Sequence, residues 1–102
     1  MDDLPDMDAQ MRGLAEDTAR LREQFIRADL ETCSTSLEMA KLEMSSGNTP
    51  LAMQELALIE KGIKTIERFL PETPAGARPE LEGMLAKLKA EVQSWKREVG
   101  KE

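Results

Sequence analysis

From Met7 onward the chain places a residue of one helix face at alternating steps of four and three: Met7, Met11, Leu14, Thr18, Leu21, Phe25, Ala28, Thr32, Thr35, Met39 and Leu42. A mean step of about 3.5 residues is the period of a heptad seam. No proline interrupts residues 6–46, and Gly13 is the only glycine among them, so the pattern predicts one long helix. Pro5 fits its first turn, and Asp6 and Asp8 lay negative charge at the positive end of the helix dipole. Gly13, about 1 kcal/mol poorer than alanine in a helix interior, marks the place for a bend.

The seam is uneven. Its middle, Ala28, Thr32 and Thr35, is small or polar, while a neighbouring stripe of Ile26, Leu30, Cys33, Leu37, Ala40 and Met44 becomes the stronger apolar face. The predicted burial surface therefore shifts round the helix near Phe25. Before that point it is narrow; after it, the apolar surface is wide enough for two neighbours.

The run from Ser45 to Pro50 is a helix-to-helix turn, with Gly47 as the left-handed cap, Thr49 as the N-cap oxygen and Pro50 as the next first helical residue. Heptad spacing resumes in Ala52, Leu56, Ile59, Ile63, Ile66 and Leu70, with Leu51, Leu58, Gly62 and Phe69 on a second stripe. Pro71, Pro74, Gly76 and Pro79 leave room for no more than a short turn before Leu81, Leu85, Leu88, Val92, Trp95 and Val99 mark a third helix. Three rods of about 30 Å then stack up-down-up, which sets Trp95 level with residues 42–44 and against the small Ala52.

The predicted fold is thus all-α: an up-down-up antiparallel three-helix bundle with a long first helix projecting beyond it. Residues 1–102 make one domain, with a disordered tip at 1–5, a first helix at 6–46 of which 6–25 overhangs, and further helices at 50–70 and 79–100. In the alternative arrangement the N-terminal segment folds back as a short fourth helix.

Composition agrees. A chain of 102 residues that is 40% hydrophobic but only 3% aromatic must build its core from aliphatic side chains, which suits helix packing. Of the net charge of -6, the acids Asp2, Asp3, Asp6 and Asp8 supply -4 before the first base, Arg12, leaving -2 for the remainder. An acidic chain without a basic stripe is a poor ligand for polyanions, so no nucleic-acid partner is expected. No apolar run approaches a membrane span and no leader pattern opens the chain, so no membrane partner is expected and the setting read is cytoplasmic. A lone cysteine agrees with a reducing compartment.

The chemistry available to a site is limited. With no histidine and no tyrosine, the commonest general base and the commonest transition-metal ligand are missing. No phosphate-binding loop, dinucleotide fingerprint, paired-cysteine motif or nucleophile elbow occurs. Neither catalysis nor a cofactor nor a metal is expected. Cys33 reads as a buried small hydrophobe. The methionines read mainly as core filling, apart from Met7 and Met11 on the overhang. Acid-first pairs four residues apart, Glu16/Arg20, Glu23/Arg27 and Glu60/Lys64 among them, support the helices.

The segment from Ser36 to Ile59 resembles one tetratricopeptide-type hairpin in Ala40, Gly47-Asn48 and Ala52. It departs from that pattern at Glu43 and Ile59 and has no second copy, and no function or residue is carried over from it.

What remains is the overhang. Met7, Met11, Leu14, Leu21 and Phe25 form a seam that the bundle does not cover, while Asp17 and Arg22 hold the g and following e positions that attract across a parallel pair of helices. The expected function is a non-enzymatic interaction or oligomerisation module, its partner a second copy of the chain in a homodimer, or another protein. A second reading, a small-ligand-binding or accessory bundle, places a cleft among Thr32, Cys33, Thr35 and Gly62.

Overall fold

A computed structural model describes residues 7–100, with side chains described from Asp8. Met7 opens the first helix with its side chain outside that range, and the tip at 1–5 lies outside the described residues. The protein is all-α. Helix α1 runs Met7–Ser45, α2 Thr49–Phe69 and α3 Arg78–Gly100, with one 3-10 turn at Leu70–Glu72 before α3.

α1 is a single helix of 39 residues, about 58 Å long at 1.5 Å per residue. It continues through Gly13, so the N-terminal segment does not fold back as a fourth helix. Ile26 is the first buried residue among its described side chains, and from that point Ile26, Leu30, Cys33, Leu37 and Ala40 enter the core with Ala52, Leu56, Ile59, Ile63 and Ile66 of α2 and Leu81, Leu85, Leu88, Val92 and Trp95 of α3.

The turn after α1 is a Schellman cap. Gly47 takes φ +84°, its N–H donates to the Met44 carbonyl at 3.1 Å, and the Asn48 N–H donates to the Glu43 carbonyl at 2.8 Å. The N-cap of α2 is Asn48, one residue earlier than the pattern predicts, its side chain accepting from the Leu51 N–H at 3.4 Å. Thr49 is already helical, and its hydroxyl approaches the Met44 thioether at 3.6 Å. At the far turn, the buried Thr73 donates its hydroxyl to the Leu70 carbonyl at 2.6 Å, and Arg78 Nε donates to the Thr73 carbonyl at 3.0 Å.

Cross-helix ion pairs record the register. Arg27 of α1 meets Glu80 of α3 with two nitrogens, at 3.1 and 3.2 Å. Lys89 and Lys96 of α3 meet Glu67 and Glu60 of α2 at 3.4 and 3.6 Å. The two α2–α3 pairs set α3 antiparallel to α2, and because Arg22 meets Phe69 and Cys33 meets Gly62, α2 is antiparallel to α1 and α3 parallel to it. Trp95 borders Lys41, Met44 and Ser45 of α1 on one side and Met53 and Leu56 of α2 on the other.

Candidate association surface

The upper edge of the bundle is fixed by Arg22. Its guanidinium lies over the Phe69 ring, 4.6 Å from the centroid, and its Nε is 3.5 Å from a Glu72 carboxylate oxygen. Cation–π contact and ion pair together hold α1 to the end of α2 at this level. Arg22, expected to face a second helix, thus also has partners at the bundle edge of its own chain. Asp17, the other half of the expected pair, contacts Arg20 one turn on in the same helix.

Above Arg22 no described side chain of α1 is buried. Met11, Leu14, Leu21 and Phe25 are 64, 66, 64 and 52% exposed, and the same helix face continues down the bundle to Met39 and Leu42 at 47 and 62%. Between them Ala28, Thr32 and Thr35 are exposed as well. After Phe25 the helix meets both α2 and α3, as the wider apolar surface predicts, but it does so through the second stripe, and the seam itself stays exposed. In heptad terms the seam occupies a and d, while Ile26, Leu30, Cys33, Leu37 and Ala40 occupy b and f, roughly opposite on the wheel. The helix buries one face and presents its reverse.

The methionines follow that division. Met11 is exposed as expected of the overhang, Met44 packs partly buried against the core, and Met39, Met53 and Met84, expected to fill the core, are exposed instead. Among the acid-first pairs, Glu23 and Arg27 meet at 2.9 Å, whereas Arg20 turns to Asp17 and Glu60 crosses to Lys96.

The cleft expected among Thr32, Cys33, Thr35 and Gly62 does not form. Thr32 and Thr35 stand on the exposed face, while Cys33 is buried between α1 and α2, directly against Gly62. Small side chains here let two backbones approach. Burial pushes the Cys33 thiol up from its ordinary value, with Asp29 adding to the shift, which keeps the sulfur protonated and unreactive.

A shallow groove between α1 and α3, of about 540 Å³, is lined by Arg27, Leu30, Glu31, Ser34, Met84 and Leu88 among others. Its main cation, Arg27, is already held by Glu80 and Glu23. No group of His, Cys, Asp and Glu side chains among the described residues is placed to share a metal ion, and no described helix is long and apolar enough to cross a membrane. No family model matches the chain, and no curated protein or solved structure matches it either. The exposed seam is the surface that internal packing leaves unexplained.

Proposed function

We propose that this chain is a non-enzymatic helical association module, joined to a second copy of itself through the N-terminal half of α1. One observation carries the reading: Met11, Leu14, Leu21 and Phe25 repeat at heptad spacing on a helix face left exposed among the described residues. Scattered apolar residues need no explanation on a protein surface, but a continuous stripe of this length lies near the upper range of apolar patches on monomers. A heptad stripe also has a defined complement, since knobs of one helix fill holes of another. The lack of histidine and tyrosine fits a binding rather than a catalytic role, and the free Cys33 thiol fits a reducing, cytoplasmic setting.

Sedimentation equilibrium tests this reading. The unmodified chain is expected to dimerise, and Leu14→Asp combined with Leu21→Asp to remain monomeric with its far-UV helical signal largely retained. A strictly monomeric parent at high concentration overturns the proposal. Loss of the whole fold in the double variant would instead place these leucines in the core.

A further inference from the structure

The seam and its flanks also carry information about how two copies would meet, and this inference rests on the self-association reading above. On α1 the e positions Arg22, Asp29, Ser36 and Glu43 are half-buried, whereas the g positions Asp17, Gln24, Glu31 and Glu38 are exposed. The difference arises because α2 lies beside the e column. Gly62 and Phe69 of α2 face α1 and Glu60 and Glu67 face α3; helical spacing then sets Leu51, Leu58 and Thr65 on the α1 side of α2, with Lys61 and Arg68 on its outer face beyond them and Arg68 reaching back over the Phe69 ring. Of these, Leu51, Leu58, Lys61 and Arg68 are exposed. One side of the seam is therefore acidic, while the other mixes the bases Arg22, Lys61 and Arg68 and the exposed Leu51 and Leu58 with the half-buried acids Asp29 and Glu43.

We infer that the occupant of this face is a second copy of the chain, paired parallel and in register along α1 from Met11 to Leu42, with its acidic g column against the basic edge of α2. Three observations converge on that arrangement. Leu14, Leu21 and Leu42 all occupy d positions, the place leucine takes in parallel two-stranded coils. Ala28 and Thr35 at d keep the middle layers slim, so two helices can approach closely. Charge then selects the orientation.

In parallel register, Asp17 comes against Arg22 of the second copy with Arg68 behind it, and Glu31 comes level with Lys61. Only Glu38 against Glu43 is unfavourable, and Glu38 has Lys41 at 3.5 Å in its own helix. Full antiparallel overlap instead places the g columns together, Asp17 against Glu38 twice by symmetry, with Arg22 against Asp29 in compensation. It also turns the basic edges of α2 away from the acids. The area is sufficient: six large side chains at these exposures offer on the order of 600 Å² per copy, and the pair clears the roughly 1,000 Å² at which specific interfaces begin.

Cysteine pairing reads orientation directly. In a Cys33→Ala parent, Leu14→Cys and Leu42→Cys are made separately and oxidised with oxidised glutathione. Parallel pairing brings each new thiol to its own copy, so both variants are expected to give a disulfide dimer. A dimer in which neither links to itself, while a mixture of Leu14→Cys with Met39→Cys does, overturns the parallel arrangement and leaves self-association standing. A linked Leu14→Cys without a linked Leu42→Cys confines the contact to the overhang and overturns the full-length register. Lys61→Glu with Arg68→Glu is expected to weaken the dimer roughly tenfold, with Glu31→Lys restoring part of the loss. Unchanged dimerisation in that variant overturns the role of the α2 edge, and a parent that never dimerises overturns both readings.

Discussion

A Cβ built on Gly62 would lie 2.8 Å from the Sγ of Cys33, closer than real side chains approach. The two residues therefore set the spacing of α1 and α2 together. Gly62→Ala would gain about 1 kcal/mol of helix propensity, but overpacking a tight contact typically costs about 1–3 kcal/mol. The expected result is a net loss near 1 kcal/mol in urea unfolding. With Cys33→Ala the obstruction is gone, so the double variant is expected to exceed the sum of the two single effects by at least about 1 kcal/mol, a coupling of the size seen between touching residues.

The same contact fixes the chemistry of the thiol. Because burial raises the Cys33 pKa above its ordinary value of 9.0, the folded chain holds this proton after the unfolded chain has begun to lose it. The sign follows from linkage: stability from this group is fully present below the unfolded value and falls as pH rises through and beyond it. Urea midpoints are expected to decline above about pH 9 in the parent and less steeply in Cys33→Ala. Thiol-reactive dye should label the folded protein slowly and the urea-unfolded protein at once.

Arg27 ties α1 to α3 by a fork of two hydrogen bonds to Glu80 while its Nε holds Glu23. These bonds pull the Glu80 carboxyl below its ordinary value. A lowered carboxylate contributes stability above its unfolded pKa and loses it as pH falls through the folded one. Glu80→Gln is expected to flatten the acid side of the stability profile below about pH 4.5, with little change at neutral pH in high salt, where exposed pairs are screened. A steeper acid limb in the variant would contradict this assignment.

How much of this was legible in the sequence follows from what each signal encodes. Period and punctuation carry the three helices, because apolar spacing and the residues Gly47, Pro50, Pro71 and Pro79 act locally. The cap at Asn48 was missed by one position: Thr49 and Asn48 are both capping types, and only the path of the Schellman turn selects between them. Helix lengths alone set Trp95 level with residues 42–44, and Trp95 lines a shallow groove with Lys41, Met44 and Ser45. The fate of Met39 and Leu42 is not set in this way. The stripe from Ile26 to Ala40 is the more apolar of the two and is the one buried, but Met39 and Leu42 are as hydrophobic as its members, and whether they too are covered depends on the angle at which α2 and α3 dock. Arg22 illustrates the same limit, since Phe69 and Glu72 stand far from it in sequence and near it only after folding.

Two glycines of α1 and its cap should respond to alanine in opposite directions. Gly13 lies within the helix, and a Cβ there meets nothing within 4 Å. Alanine loses less backbone entropy in a helix, so Gly13→Ala is expected to stabilise α1 by up to about 1 kcal/mol, read as a stronger helical signal and slower amide exchange around Met11 and Leu14. Space is equally open at Gly47, but its φ of +84° is the left-handed conformation that side chains disfavour. Gly47→Ala is expected to cost about 1 kcal/mol by straining the Schellman cap. Because Gly13 lies above the bundle edge at Arg22, its effect should appear in local exchange with little change in global unfolding, whereas the cost at Gly47 should appear in the global midpoint. Equal global shifts at both positions would mean that the overhang unfolds together with the bundle rather than ahead of it.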